Sequence, residues 1–202
     1  MKQENQRSAA LIIFIRNPEL GKVKTRLAKS VGDEKALEIY KSLLEHTRKT
    51  VLQVEVNLLL FYADRVNPDD DWSSLGFIKY AQVNEDLGGR MHHAFLKALE
   101  HHQKAIIVGS DLPQINAQLL QEAFQKLEDH TFVIGPAMDG GYYLLGMKSP
   151  TPELFENMEW STPNVFAQTV QRIESLGGTW YELPELSDVD YVEDWERYGW
   201  EL

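Results

Sequence analysis

The chain has 202 residues, a formal net charge of −11, 25% charged residues and no cysteine. The length suits one large domain or two small ones. The acidity argues against general binding to nucleic acids or anionic membranes, and the missing cysteines exclude disulfides, a thiol nucleophile and cysteine-ligated zinc.

Residues 1–8 (MKQENQRS) read as a polar tail without the apolar stretch of a signal peptide. No apolar run approaches the roughly 20 residues of a membrane span, so no membrane span is expected and a cytoplasmic location fits. Residues 9–15 (AALIIFI) form a buried strand. The next segment, RNPELGKVKTRLAK, places Arg16, Lys22, Lys24, Arg26 and Lys29 within residues 16–29. So concentrated a cationic loop in an acidic chain points to a small anionic ligand, not a long polyanion. Lys22, Lys24 and Arg26 alternate, so an extended loop would set them on one side. Gly21 permits close backbone approach or an unusual dihedral.

Asp33 and Glu34 suit the start of a helix whose inward face carries Ala36, Leu37, Tyr40, Leu43, Leu44, Thr47 and Val51. Residues 56–62 and 77–83 read as strands, joined by the polar connection 67–74. The loop 84–89 leads into a helix with Met91, Phe95 and Leu99 on one face. Residues 104–108 make a fourth strand, ending at Gly109-Ser110-Asp111-Leu112-Pro113. A helix with Leu120, Ala123, Phe124 and Leu127 inward follows. Strands at 131–135 and 142–146, a helix with Phe166, Thr169, Val170 and Ile173, a strand at 179–183 and a short helix with Val192 and Trp195 complete the pattern.

Alternating strands and helices predict an α/β fold: a three-layer α/β/α arrangement with a mostly parallel mixed sheet, one domain over residues 9–202. Ligands in such sheets bind beyond the carboxyl ends of strands. The basic loop and the Asp111 loop both lie at such ends.

Cations with exposed amides can clamp a triphosphate, although no G-x-x-x-x-G-K Walker pattern is present. Asp111 suits a magnesium ligand, since nucleotide-bound magnesium takes one or two protein carboxylates. Its alternative is a helix cap, for which Asn116 is better placed. Asp139-Gly140-Gly141-Tyr142 reads first as a turn, and alternatively as two glycines bringing amides against a sugar or acceptor beside Tyr142. Asp188 and Asp190 point the same way in an extended segment, as helix caps or as metal ligands. Arg90 can reach a phosphate or pair at the surface. The adjacent pairs His92–His93 and His101–His102 cannot form a compact metal face and read as structural. Trp160-Ser161-Thr162-Pro163 reads as a helix start capped by Ser161 or Thr162.

In order, Pro18-x-x-Gly21-x-x-Lys24-Thr25-Arg26-Leu27, Asp86-Leu87-Gly88-x-Arg90-Met91, Gly109-Ser110-Asp111-x-Pro113, Asp139-Gly140-Gly141-Tyr142, Trp160-Ser161-Thr162-Pro163 and Asp188-Val189-Asp190 resemble bacterial members of the nucleotide-diphospho-sugar transferase superfamily, of the glycosyltransferase-A type. The closer likeness is to the subfamily of predicted glycosyltransferases related to phospholactate guanylyltransferases. It departs at Gly89, where relatives often carry an acidic residue, and after Asp190, where their Thr-Pro is missing. The resemblance implies a Rossmann-like sheet with nucleotide over its N-terminal half. It implies nucleotide binding by Gly21, Lys22, Lys24, Thr25, Arg26, Asp86, Gly88 and Arg90, and binding of the transferred group or acceptor by Asp139, Gly140, Gly141 and Tyr142. It also implies Mg2+ (or Mn2+) on Asp111 and Asp190, with Asp188 in reserve.

Lys24, Arg26 and Asp111 are the candidate catalytic residues. The reaction expected is nucleotidylyl transfer from a nucleoside triphosphate to a small phosphorylated acceptor. Glycosyl transfer from a nucleotide-sugar and nucleotide binding without catalysis are the alternatives. The single carboxylate in Ser110-Asp111-Leu112, where glycosyl transfer usually shows Asp-x-Asp, and the cation density of the first loop favour the triphosphate chemistry.

Overall fold

The most apolar segment of the chain becomes its central strand. In a computed structural model describing residues 8–73 and 75–202, β1 (Ala9–Ile15) lies between β2 (Asn57–Tyr62) and β4 (Lys104–Val108), parallel to both. β3 (Ile78–Ala81), β6 (Tyr142–Met147), β5 (Phe132–Pro136) and β7 (Trp180–Glu182) complete one seven-stranded sheet in the order β3-β2-β1-β4-β6-β5-β7. Only β6 runs antiparallel to its neighbours. The polar tail expected at residues 1–8 lies, apart from Ser8, outside the described residues, and so does Ser74 of the polar connection.

Six α-helices cover the sheet among the described residues: α1 (Thr25–Val31), α2 (Asp33–Val51), α3 (Leu87–Leu99), α4 (Ala117–Asp129), α5 (Val165–Ser175) and α6 (Val192–Tyr198). None of their helices is long and apolar enough to cross a membrane. Successive β1 side chains serve opposite faces. Leu11, Ile13 and Ile15 join Tyr40 and Leu44 of α2 and Leu120, Ala123 and Phe124 of α4. Ala10 and Ile12 join Met91, Ala94 and Phe95 of α3 and Ile173 of α5. A strand buried on both faces must read as a continuous apolar run, as β1 does. The expected three-layer fold with a mostly parallel sheet is therefore the observed one.

One helix start follows the expected local chemistry and another does not. Asn116 Oδ1 accepts from the Leu119 amide at 2.9 Å and caps α4. The expected cap on α5 is absent: Thr162 Oγ1 donates back to the Glu159 carbonyl at 3.0 Å, and α5 begins at Val165 without a side-chain cap. A second correction concerns the basic segment, which is not extended throughout. It turns helical at Thr25, so Lys22 and Arg26 stand on different structures, and Lys24 is the residue between them.

β2 and β4 depart to opposite sides of β1, so the carboxyl ends of β1 and β4 flank a crevice. The loop after β1 is bound at both ends. Tyr40 hydroxyl accepts from the Arg16 amide and donates to the Arg16 carbonyl, both at 2.9 Å. Asn17 Nδ2 donates to Asp64 Oδ1 at 2.7 Å and to the Arg65 carbonyl at 2.9 Å. α1 is only seven residues long and relies on tertiary contacts. Its buried Leu27 supplies them in a small cluster with Ala36, Ile39, Leu43 and Val189. Replacing Leu27 by Ala is expected to cost about 2–5 kcal/mol in urea unfolding, the range for a buried leucine that leaves a cavity. A loss under about 1 kcal/mol would show that this cluster does not anchor α1.

Candidate functional site

The crevice is a cleft of about 640 Å3 whose floor joins three distant segments. Lys24 comes from the loop after β1, Asp111 from the loop after β4, and Asp188 and Asp190 from the segment before α6. Lys24 Nζ donates to Asp111 Oδ2 at 2.8 Å and reaches Asp190 Oδ1 at 3.4 Å. Arg26 Nη1 takes the other oxygen, Asp190 Oδ2, at 2.7 Å.

Each member is positioned by ordinary local structure. Gly109 leaves room for Asp111: a Cβ there would lie 2.9 Å from Asp111 Oδ1. Val189 is fully buried in the Leu27 cluster, and its amide donates to the Asp111 carbonyl at 3.0 Å. Its flanking carboxylates, Asp188 and Asp190, both line the cleft. Asp194, not Asp188 or Asp190, caps α6. Its Oδ2 accepts from the Asp190 and Tyr191 amides at 3.0 and 2.7 Å, which leaves the Asp190 carboxylate to the cations.

Lys24 is the unusual member. Its side chain is 7% exposed, and its backbone is left-handed at φ 46°, ψ 45°. That conformation favours glycine and costs a lysine about 1 kcal/mol or more. Burial opposes its charge, but Asp111, through charge and hydrogen bond, together with Asp190 and Asp188, outweighs burial and holds its pKa above the usual lysine range.

Thr25 and Lys22 also line the cleft, although Lys22 is exposed and pairs with Glu19 at 2.6 Å. Gly21 adopts φ 72° and turns the chain into this segment. Asp86 and Gly88 have structural work. Asp86 Oδ1 caps α3 by accepting from the Gly89 amide at 2.8 Å, and Gly88 lies under Trp160, whose ring a Cβ would approach to 2.7 Å. Arg90 faces the cleft, with Nε donating to the Glu85 carbonyl at 2.7 Å.

Across the cleft, Asp139 Oδ1 accepts from the Gly141 amide at 2.9 Å, closing the expected turn. Gly140, at φ 87°, packs so closely on Pro163 that a Cβ would meet its carbonyl oxygen at 2.2 Å. Gly141 and Tyr142 line the wall, and burial pushes the Tyr142 phenol up, so it stays protonated. Trp160, Ser161 and Thr162 extend this wall, Ser161 with a positive φ of 62°. Tyr40 and Trp160 were legible only as apolar or helix-start positions. Tyr40 in fact pins the basic loop, and Trp160 packs on Gly88 in the first turn of α3 and lines the cleft.

Asp111 and Asp190 fit a divalent cation that prefers oxygen ligands. Their side chains are 35% and 32% exposed, two carboxylates facing one point. Among the described residues no group of three or more histidine, cysteine, aspartate or glutamate side chains is arranged to hold a metal unaided.

This sheet order, with a cationic loop after β1 and an aspartate after β4 facing one cleft, places the chain in the nucleotide-diphospho-sugar transferase superfamily. Within it, the chain belongs to the family described as "Uncharacterized protein conserved in bacteria (DUF2064)", whose profile matches residues 46–162. A provisionally named nucleotide-diphospho-sugar transferase from Desulfovibrio desulfuricans G20 is 33% identical, with a TM-score of 0.86 over 92% of this chain and 84% of that one. The fold is also similar to a CMP:2-keto-3-deoxy-manno-octonic acid synthetase complexed with CTP (12% identity, TM-score 0.57, 94% and 96% of the two chains). It is likewise similar to Rv0371c of Mycobacterium tuberculosis H37Rv in complex with manganese (12%, 0.53, 95% and 97%). No curated protein matches the chain in sequence.

Asp188 yields a pH test. Burial first, then the charges of Asp111 and Asp190, push its carboxyl up to about 6 from 3.8, against the pull of Lys24. A folded-state pKa above the unfolded one means that ionisation opposes folding. The penalty is absent below the unfolded value, grows as pH rises towards 6 and is complete above it. A displacement of this size corresponds to about 3 kcal/mol. With a chelator present, Asp188→Asn is expected to match the wild type in urea unfolding near pH 4 and to exceed its stability by up to about 3 kcal/mol at pH 8. A difference that does not change with pH would contradict this.

Proposed function

We propose that the protein catalyses nucleotidylyl transfer from a nucleoside triphosphate to a small phosphorylated acceptor, assisted by Mg2+ or Mn2+. The observation that carries this reading is the buried Lys24 ammonium, with Arg26 beside it, set against Asp111 and Asp190 on the floor of the cleft. An oxygen of the acceptor phosphate attacks the α-phosphorus, the bond from that phosphorus to the bridging oxygen breaks, and pyrophosphate leaves. Lys24 and Arg26 hold phosphate oxygens and stabilise the charge gathering on the departing pyrophosphate. Asp111 and Asp190 would hold the divalent ion, which when bound neutralises charge on the phosphates. Arg90, Thr25 and Lys22 lie where they can add contacts to the nucleotide. Asp139, Gly141 and Tyr142 form the opposite wall, which suits the acceptor, with Gly140 fixing the turn. The CTP complex of a protein with this fold supports a triphosphate in such a cleft, and the manganese complex of another supports the metal.

Glycosyl transfer from a nucleotide-sugar is the second reading, favoured by the name of the 33% identical relative. Against it, the residue two past Asp111 is Pro113, and Leu112 between them is buried. The β4 loop therefore offers one carboxylate, and the second comes from Asp190.

A thermal-shift comparison with Mg2+ separates the two. Nucleoside triphosphates at about a hundred times Kd are expected to stabilise the protein by about 2.7 kcal/mol. Stabilisation by nucleotide-sugars alone would overturn nucleotidylyl transfer. Once turnover is followed by pyrophosphate release, Asp111→Asn is expected to lower it by about a hundredfold or more with the fold intact. Unchanged turnover would remove Asp111 from the mechanism.

A further inference from the structure

We infer that Lys24 stands in for the divalent cation: its ammonium seals the Asp111–Asp190 pair until a polyphosphate draws it away, so the cleft takes metal and triphosphate together and neither well alone. This rests on the nucleotide reading above and goes beyond it by making the two affinities interdependent.

The geometry assigns the part to Lys24. Nζ lies 2.8 Å from Asp111 Oδ2 and 3.4 Å from Asp190 Oδ1, in contact with both carboxylates that would hold the ion. Arg26 occupies Asp190 Oδ2 at 2.7 Å, so the inward oxygens of the pair already serve cations of the chain itself. The lysine is buried to 7% exposure, and the chain accepts a left-handed backbone to put it there. Strain of that kind persists where the surrounding structure over-determines it.

Asp111, Asp190, Lys24 and Arg26 are together formally neutral. A divalent ion arriving alone would take both carboxylates to which the buried ammonium is bonded, and a buried charge that loses its bonded partners is strongly unfavourable. A triphosphate arriving alone would take the ammonium but leave its own charge facing Asp111, Asp188, Asp190 and Asp139, all on the same cleft. Arriving together, each satisfies what the other disturbs: phosphate oxygens receive Lys24, and the freed carboxylates receive the metal. Linkage then requires each to raise the affinity of the other by the same factor, commonly 5- to 150-fold.

The test is equilibrium dialysis of Mn2+ against the full chain without nucleotide, for the wild type, Lys24→Met and Lys29→Met. Lys24→Met is expected to bind Mn2+ about tenfold or more tightly than the wild type. Lys29→Met removes the same charge from α1 outside the cleft and is expected to behave as the wild type does. Should Lys24→Met lose its far-ultraviolet circular dichroism, Lys24→Gln carries the same expectation. A second arm needs no variant: a mixture of the four ribonucleoside triphosphates is retained by the wild type about tenfold or more tightly with Mn2+ than with EDTA. Equal Mn2+ affinity in the wild type and Lys24→Met, with nucleotide still retained, overturns the inference and leaves the nucleotide reading standing. Retention of no triphosphate under either condition overturns both.

Discussion

The contact on which the rest of the site depends is between the Lys24 ammonium and carboxylates 87 and 166 residues further along the chain. Nothing local brings these groups together. Lys24 reaches the cleft because β1 ends there and α1 is anchored through Leu27. Asp111 reaches it because β4 pairs with β1 in parallel, with Val108 opposite Ile13. Asp190 reaches it because Val189 is buried against α1 and α2 and its amide is bound to the Asp111 carbonyl. One apolar cluster thus fixes both the lysine and its distant partner. Packing and electrostatics at this end of the sheet are one structure.

The charges are arranged with a direction. Cations come from the β1 loop, α1 and α3, and carboxylates come from the β4 loop, the β5–β6 turn and the segment before α6. Asp188 is partly buried and sits among like charges, and burial first and then those charges raise its carboxyl to about 6 against the pull of Lys24. A cluster optimised for stability would not place it there. Lys24 and Ser161, two of the three non-glycine residues with positive φ among the described residues, line the same cleft as the raised Asp188 carboxyl, a concentration that fits a ligand site.

Much of this was legible in the chain. Continuous apolar runs identified β1 and β4, and β4 spans the expected residues 104–108. Asn116 was recognisable as a cap because its spacing to the apolar face of α4 is local information. α1 was not recognised, because Pro18 and Gly21 signal a loop and Lys24 brings no capping side chain. The helical spacing of Val23, Leu27 and Val31 was the signal available. The choice between Asp188 and Asp190 could not come from spacing, since both face one way in an extended segment. It depends on Arg26, whose position depends on α1. Asp194 reaching back three and four residues is a capping pattern visible in sequence. Recognising it would have released Asp190 from that duty.

The family match covers residues 46–162 and therefore contains Asp111 without either of its partners. Lys24 and Arg26 precede it, and Asp190 follows it. A carboxylate on a strand end in isolation is no more than a surface charge, open to water and weak as a metal ligand. The buried ammonium beside Asp111 and the second carboxylate come from the β1 loop and the segment before α6, and the fold of the sheet brings them to it. The cleft is consequently a property of the whole chain. The segments that complete it carry the left-handed Lys24 and Asp190, and the two side chains meet at 3.4 Å across 166 residues of sequence.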